Sequence, residues 1–308
     1  MKLKFLEKIF PKKTQIKLRN NLSIVYFTNL DRDNQIQKNG YTIIKNVVSE
    51  DHLAFLLSTY QQLTQFPEYS IDDKFQNSGR YRSPEIRSFV MDNIADFSKK
   101  FLPQLFDTSL YDENTTGAFQ IKPPSKVSEL NPHQDAPVID ETQQNGLFVW
   151  IPLCDINETN GAVYVLPCSH LWGNHQRSLN VAWPLEKHTA TLWKHMIPVY
   201  MQKGDVLIWD TALIHASAPN LTETTRVAIT TTILPKQYTM VEYFKDKKTP
   251  TDEVEKYNVV RSFWESEDIM KRPPCPPNQY LGNEKLAFPS SISKKQLLDL
   301  IQQTKVHQ

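Results

Sequence analysis

Cysteine and glycine are both scarce in this sequence of 308 residues, which contains three cysteines and eight glycines. Cys154, Cys168 and Cys275 are odd in number and lack CxxC spacing, so neither a disulfide framework nor a zinc finger is expected. Thiols that stay unpaired are typical of a reducing compartment. We therefore expect a cytoplasmic protein.

The sequence also lacks a surplus of either charge and any long apolar run. Lys and Arg number 35, and Asp and Glu number 34. This balance gives no electrostatic field suited to nucleic acid. No stretch approaches the roughly 18 apolar residues of a transmembrane helix. The expected partner is therefore a small molecule, with no nucleic acid and no membrane span, and the oligomeric state stays open.

Proline and aromatic residues are abundant, with 20 prolines and strand-like segments between them. Helices are predicted after Ser49, from Ser83 to about residue 105, and after a capping box at Ser293 and Gln296. Strands are predicted at residues 41–48, 118–122, 147–153, 161–166, 204–209 and 227–233. This pattern favours a mainly β fold with flanking helices, built on a double-sheet jelly roll (a double-stranded β-helix, as in cupins).

His133 and Asp135 lie two residues apart, so in an extended strand both side chains point to one side. Two histidines and one carboxylate on a single face form the ligand set of non-haem Fe(II) oxygenases. The spacing is common by chance, however, and the alternative is a turn in which Asp135 bonds the backbone. A second histidine is needed.

His215 follows a predicted strand and lies far from His133 along the chain. In a jelly roll, strands distant in sequence pair in space, although a single histidine is more often structural. Arg226 enters the next strand, and a guanidinium can hold a carboxylate through two hydrogen bonds. Ser217 lies on the same side of its strand as His215 and can donate a third. Together they would suit a dicarboxylate lying between a metal and Arg226.

These residues resemble the phytanoyl-CoA dioxygenase family (the phytanoyl-CoA hydroxylase-like enzymes) of Fe(II)/2-oxoglutarate oxygenases. The resemblance covers about residues 35–235, and its pieces are individually weak but specific in their order and spacing. They are residues 39–44 (NGYTII), 122–124 (KPP), 133–135 (HQD), 150–153 (WIPL), 160–162 (NGA), 167–170 (PCSH), 204–205 (GD), 215–217 (HAS) and 219–220 (PN) before Arg226.

The resemblance implies Fe(II), 2-oxoglutarate and O₂ as cofactors. It implies His133, Asp135 and His215 as the iron ligands. It also implies that Arg226 and Ser217 hold the distal carboxylate of 2-oxoglutarate. We expect a dioxygenase that hydroxylates an unactivated C–H bond of a small metabolite and releases succinate and CO₂. Family halogenases lack the carboxylate ligand, whereas Asp135 is present here.

Four further positions carry weaker implications. Trp150 matches a residue whose ring borders the cosubstrate. Lys122 would contact cosubstrate or substrate, or would equally be an interfacial surface lysine. His170 is interpreted as a structural residue that fixes a turn, and Cys168 stands where the family usually has glycine.

Other functions remain open at this stage. The oxidation could end in desaturation or another rearrangement. A jelly roll that binds metal and ligand without turnover would have no need of both the triad and Arg226. A zinc hydrolase is compatible with two histidines and a carboxylate, but it leaves Arg226 unexplained.

The remaining expectations concern organisation. We predict an N-terminal arm (1–30), a jelly-roll oxygenase domain (31–240) with a substrate-facing lid at 171–198, and a C-terminal extension packed on the core (241–308). The basic, apolar start is interpreted as a packed arm in preference to a membrane-surface helix. Arg177 in the lid is expected to meet an acidic substrate group or, as the alternative we favour, to be solvated. The loop at 79–82 is also interpreted as solvated.

Overall fold

Two antiparallel sheets form the centre of the protein in its computed structural model, which describes residues 26–81, 83–113, 116–172, 176–266, 270–286 and 292–305. The larger sheet has six strands, in the spatial order β1 (Tyr41–Ile44), β8 (Val206–Asp210), β5 (Leu147–Pro152), β10 (Arg226–Ile233), β3 (Gly117–Lys122) and β2 (Gln76–Asn77). The smaller has four, in the order β4 (Leu130–His133), β9 (His215–Ser217), β6 (Val163–Val165) and β7 (Ile197–Val199). Side chains of both sheets share one buried cluster. The predicted mainly β jelly roll with flanking helices is confirmed.

Strand β10 shows why the larger sheet is central. All eight of its residues are buried, because the sheet is covered on both faces. Val227 and Ile229 pack into the cluster shared with the helices, whereas Ala228 faces the cluster shared with the smaller sheet. Successive side chains of a strand point to opposite faces, so the two clusters lie on opposite sides of the sheet.

Three helices supply the outer cover of the larger sheet: α1 (Leu30–Asn39), α2 (Glu50–Leu63) and α3 (Pro84–Phe101). The predicted starts of α2 and α3 are confirmed. The Ser49 hydroxyl accepts a hydrogen bond from the backbone N–H of His52, and the Ser83 hydroxyl accepts one from that of Ile86. Each cap satisfies an N–H that has no partner inside its helix.

The first strand is shorter than predicted. It ends at Ile44, whereas alternation along the sequence indicated Val48. Asn46 adopts a left-handed backbone conformation with φ of 53°, and its N–H donates to the Asp205 carboxylate at 2.9 Å. A turn held by a residue 159 positions away ends the strand, and no local pattern shows it.

The last part of the described chain contains a third sheet, formed by β11 (Val241–Phe244), β12 (Glu253–Asn258) and β13 (Gln279–Lys285). Two short helices are α4 (Thr189–Trp193), which precedes β7, and α5 (Arg261–Ser266), which lies between β12 and β13. Helix α6 (Lys294–Lys305) follows the predicted Ser293–Gln296 capping box. Its Leu297 packs with Trp172 and Ile214. The division of the chain into arm, domain and extension stays a prediction, and most of the arm lies outside the described residues. Among the described helices, none has the length and apolarity needed to cross a bilayer.

Candidate active site

His133 and His215 face each other across two paired strands. His133 ends β4, His215 begins β9, and the two are direct partners in the antiparallel register. Their ring centroids lie 4.3 Å apart. Cross-strand partners on one face approach closely, and this register explains how residues 82 positions apart along the chain meet.

Asp135 completes the group from two residues beyond the end of β4. Its two carboxylate oxygens lie 3.6 Å from His133 Nε2 and 3.4 Å from His215 Nε2. One ligand atom from each residue can be chosen so that all three lie within 4.8 Å of one another. Two imidazoles and one carboxylate at this spacing suit a single transition-metal ion with open positions.

The hydrogen bonds of both histidines select the nitrogen that is available to a metal. His133 Nδ1 lies 2.8 Å from the carbonyl oxygen of Asn131, and His215 Nδ1 lies 3.1 Å from that of Leu213. A carbonyl oxygen only accepts, so both Nδ1 atoms carry the proton in this arrangement. The Nε2 lone pairs are left facing Asp135, and the rings are held in orientation by the backbone.

The charges of the group also suit a metal. Burial raises the pKa of the Asp135 carboxyl, but His215 and His133 outweigh this effect and hold it well below its usual range. Burial, followed by the neighbouring His133, lowers the pKa of His215 to about 4. At neutral pH the group therefore offers one carboxylate and neutral imidazole, the forms that bind metals.

Arg226 and the triad line the same cavity, which has a volume of about 340 Å³. The guanidinium is buried, with a weak contact from Nη2 to the Gly161 carbonyl at 3.5 Å. Its Nε and Nη1 have no hydrogen-bond partner among the described residues. Burial lowers the pKa of Arg226 to about 10, so it remains cationic at neutral pH. Burying a cation with free hydrogen-bond donors costs free energy unless an anionic ligand pairs with it.

Lys122 is the direct cross-strand partner of Arg226, and it is fully buried. Its Nζ donates to the Ser217 hydroxyl at 2.7 Å and to the carbonyls of Ser128 and Ala218 at 2.8 and 2.6 Å. The alternative of an interfacial surface lysine is therefore wrong. Burial, and then the charge of Arg226, lower the pKa of Lys122 to about 6. Arg226 lines the cavity, whereas Lys122 lies behind it.

The predicted site residues fall into two layers. His133, Asp135, His215, Ser217 and Arg226 all line the cavity. Behind them, the Lys122 amine contacts Ser217, and the ring of Trp150 lies 5.5 Å from the Arg226 guanidinium. Contact of Lys122 or Trp150 with the cosubstrate stays a prediction.

Gln120 and Arg80 line the same cavity and were not singled out as site residues from the sequence. Gln120 accepts a hydrogen bond from Trp150 Nε1 at 3.3 Å. Its position two residues before Lys122, on one face of β3, is the sequence signal that would have indicated it. Arg80 is exposed but borders the cavity beside Asp135, so the loop at 79–82 is not merely solvated; Arg82 itself lies outside the described residues.

Arg177 does not have the solvated position that we favoured; because it lines the cavity, its contact with an acidic substrate group stays a prediction. It is buried and forms an ion pair with Glu141 at 2.7 Å, each side chain being 3% exposed. Its Nε donates to the backbone carbonyl of Asp135 at 2.9 Å. The expectation of a solvated arginine is wrong, because a partner 36 residues earlier draws it into the interior. Arg177 therefore fixes the segment that carries the Asp135 carboxylate.

We expect Arg177→Met to weaken iron binding by about tenfold or more, because supporting residues behind metal ligands commonly have effects of this size. It should also lower the free energy of unfolding by about 3–5 kcal/mol, since Glu141 would be left as an uncompensated buried charge. Urea unfolding and iron titration measure the two effects. Arg272→Met is a matched control, because Arg272 is a half-exposed, ion-paired arginine away from the cavity. Unchanged iron affinity in Arg177→Met would contradict this role.

The stretch at 171–198 is only partly exposed to the cavity. Arg177, Ser178 and Leu179 line it, whereas Trp172 is buried in the cluster that includes α6. Trp183 Nε1 donates to Gln134, a cavity residue, at 3.1 Å. The role of the whole stretch as a lid stays a prediction.

His170 and Cys168 lie outside the group of possible metal ligands. His170 is buried and its Nε2 lies 3.1 Å from the Gln37 carbonyl in α1. Cys168 has φ of 64°, a left-handed conformation that favours glycine. Its N–H nevertheless donates to the Asn39 carbonyl at 2.9 Å, so the turn forms with a side chain in place.

Comparisons with known proteins agree with this geometry. The family model "Phytanoyl-CoA dioxygenase (PhyH)" matches residues 36–228. Dioxygenase trt7 of Aspergillus terreus (strain NIH 2624 / FGSC A1156) is 25% identical over 133 residues, covering 41% of this chain and 42% of that protein. Dioxygenase sphC of Aspergillus fumigatus (strain CBS 144.89 / FGSC A1163 / CEA10) is 35% identical over 102 residues, covering 33% and 24%. The chain thus spans less than half the length of these curated relatives.

A solved structure shares the fold. EctD from S. alaskensis, crystallised with 2-oxoglutarate and 5-hydroxyectoine, superposes with a TM-score of 0.51 at 20% identity. The match covers 78% of this chain and 91% of that one. It extends the agreement in fold beyond the segment matched by the family model.

Proposed function

The chain belongs to the phytanoyl-CoA dioxygenase family, and from this premise we propose that it is an Fe(II)/2-oxoglutarate-dependent dioxygenase that hydroxylates an unactivated C–H bond of a small metabolite. Succinate and CO₂ would be the co-products. One observation carries the proposal: a His–Asp–His group and a buried guanidinium with free donors line the same cavity. The first suits a metal, and the second suits the far end of a dicarboxylate.

The residues present fit both iron and 2-oxoglutarate. His133, Asp135 and His215 would hold the iron through two Nε2 atoms and a carboxylate oxygen. Bound iron would activate O₂, which is the oxidant, and 2-oxoglutarate would supply two of the electrons that reduce it, while the protein contributes binding, orientation and electrostatics.

Arg226 and Ser217 would bind the distal carboxylate of 2-oxoglutarate. Arg226 supplies two unpaired buried donors, Nε and Nη1. The Ser217 hydroxyl accepts from the Lys122 amine, so its own hydrogen remains free to donate to an anion. Lys122 thus acts as a positioning residue for Ser217.

We expect Lys122→Met to weaken 2-oxoglutarate binding by about tenfold, because the Ser217 hydroxyl loses the donor that orients it. Iron affinity should stay within about twofold of the wild-type value, since none of the proposed iron ligands is hydrogen-bonded to Lys122. Isothermal titration of 2-oxoglutarate into the iron-loaded protein measures the change. A variant that loses iron and 2-oxoglutarate affinity equally would indicate a merely structural lysine.

Two rivals are separable by experiment. A zinc hydrolase leaves the unpaired donors of Arg226 without a role, and a non-catalytic binding protein would bind 2-oxoglutarate without consuming it. The proposed enzyme should form succinate only when Fe(II), 2-oxoglutarate and O₂ are all present, and zinc should inhibit it. Consumption of O₂ without succinate, or a zinc-dependent hydrolysis, would contradict the proposal.

The type of oxidation is a further part of the proposal. Hydroxylation adds one oxygen atom to the substrate, whereas desaturation removes two hydrogens. Mass spectrometry of products formed under ¹⁸O₂ distinguishes them. We expect the label in the product, as hydroxylation requires. Asp135, the carboxylate ligand that family halogenases lack, favours hydroxylation over halogenation.

A further inference from the structure

A buried carboxyl group faces the space beside the proposed iron site. Glu242 lies on β11 and is 2% exposed. It lines a cavity of about 200 Å³ together with apolar side chains that include Phe148, Leu179 and Trp264. Glu242 follows the segment that the family model matches, residues 36–228, so the family pattern assigns it no role.

This second cavity adjoins the one that contains the triad. The two cavities share six lining residues: Asn77, Arg80, Gln120, Asp135, Ala136 and Leu179. Because Asp135 borders both, a molecule that occupies the second cavity lies next to the metal-binding carboxylate. The second cavity therefore has the position expected of the substrate.

Glu242 has no cationic partner among the described residues. Its carboxyl group is hydrogen-bonded to Ser178, and burial raises its pKa to about 8. Its carboxylate forms no ion pair with any described residue, unlike the buried Glu141, which is paired with Arg177. A buried carboxyl group without a cation is costly to ionise, and a ligand cation would remove that cost. A small number of polar groups in a pocket commonly set the orientation of its ligand.

The cations around the site give the ligand a direction. Arg80 borders both cavities, and Arg226 lies in the first. Both repel a positive charge. The Asp135 carboxylate would be engaged by the metal, so ionised Glu242 is the group left to attract a ligand cation. A cationic group would therefore lie at Glu242, and the remainder of the molecule would extend toward Asp135 and the metal.

We propose that Glu242 binds a basic nitrogen of the substrate, so that the enzyme acts on a small amine. This inference rests on the proposed function, because it assigns the substrate class of the same site. The carboxylate accepts hydrogen bonds from the ammonium group, and Ser178 holds the carboxylate in place. The second cavity, of about 200 Å³, has room for a group of about amino-acid size.

The test measures binding to the anaerobic protein loaded with Fe(II) and 2-oxoglutarate, through the change in the charge-transfer absorption of that complex. The probes are matched pairs of an amine and its neutral or deaminated isostere: L-proline and cyclopentanecarboxylate, pipecolate and cyclohexanecarboxylate, benzylamine and benzyl alcohol. In the wild type, at least one amine should bind about tenfold or more tightly than its isostere, the usual effect of a charge-assisted hydrogen bond.

Glu242→Gln should remove this preference, because the amide has nearly the same shape but no negative charge. Glu242→Asp should keep the preference with weaker binding, since the carboxylate is withdrawn by one methylene. Glu223→Gln changes an exposed glutamate outside both cavities and should behave as the wild type. Iron and 2-oxoglutarate affinities serve as the check that each variant is folded.

The outcomes separate the inference from the function on which it rests. A wild type that forms the iron–2-oxoglutarate complex but binds no amine in preference to its isostere overturns the inference alone. So does a Glu242→Gln protein that keeps the preference, which would make Glu242 a protonated structural acid. A wild type that forms no such complex overturns both.

Discussion

Replacing His215 with alanine should abolish succinate formation and weaken iron binding by more than about a hundredfold, beyond the effect of losing a supporting residue. The reason is geometric: only Nε2 of His215 faces Asp135, because Nδ1 is engaged by the Leu213 carbonyl. His133→Ala and Asp135→Ala should have the same effect on iron. Iron content after dialysis and succinate yield per protein are the measurements.

The fold should survive these changes, although not equally. The side chains of His133 and Asp135 are 27% and 26% exposed, so their removal leaves little empty volume. His215 is 9% exposed and packs against Trp209 at a ring distance of 5.0 Å, so its alanine variant should lose more stability. His188→Ala is the matched control, because His188 bonds the Ile292 carbonyl away from the cavity. Normal iron binding by His215→Ala would remove it from the ligand set.

Arg226→Met should weaken 2-oxoglutarate binding by roughly 2–4 kcal/mol, a factor of about a hundred or more in dissociation constant. Iron affinity should change by no more than about twofold, because the guanidinium is not a ligand. Without 2-oxoglutarate, the variant should be at least as stable as the wild type, since a buried and unpaired charge is replaced by an apolar side chain. Thermal unfolding with and without 2-oxoglutarate measures the effects on 2-oxoglutarate binding and on stability.

The comparison of the two unfolding series isolates the role of Arg226. The wild type should gain stability with rising 2-oxoglutarate concentration, whereas Arg226→Met should gain little over the same range. Arg272→Met, which removes an arginine outside the cavity, should gain as much as the wild type. Equal stabilisation of Arg226→Met and wild type by 2-oxoglutarate would show that another residue binds the distal carboxylate.

Local signals predicted much of the fold. The serines that cap α2, α3 and α6 act on N–H groups three residues away, so the sequence contains both partners. The apolar run of β5 predicted a buried strand because both faces of that sheet are covered, and the β-branched residues of β10 predicted a strand. Secondary-structure elements that are determined by residues close together in the sequence can therefore be predicted from it.

Interactions between distant residues were not predictable in the same way. The pairing of His133 with His215 followed only from the resemblance to a family, because strand register is a tertiary property. The same holds for the ion pair of Arg177 with Glu141 and for the three carbonyls and one hydroxyl that accept from Lys122. Charged side chains are rarely fully buried, so composition alone favours a solvated position for both cations.

The central claim is that one cavity binds both a metal and 2-oxoglutarate and couples them to oxidation. Its most direct test is succinate formation by the purified wild type and Arg226→Met, each loaded with Fe(II), as a function of 2-oxoglutarate concentration. The account predicts iron-dependent succinate from the wild type, and from the variant only at concentrations about a hundredfold higher. Identical concentration dependence in the two proteins, or succinate formation without iron, would contradict it.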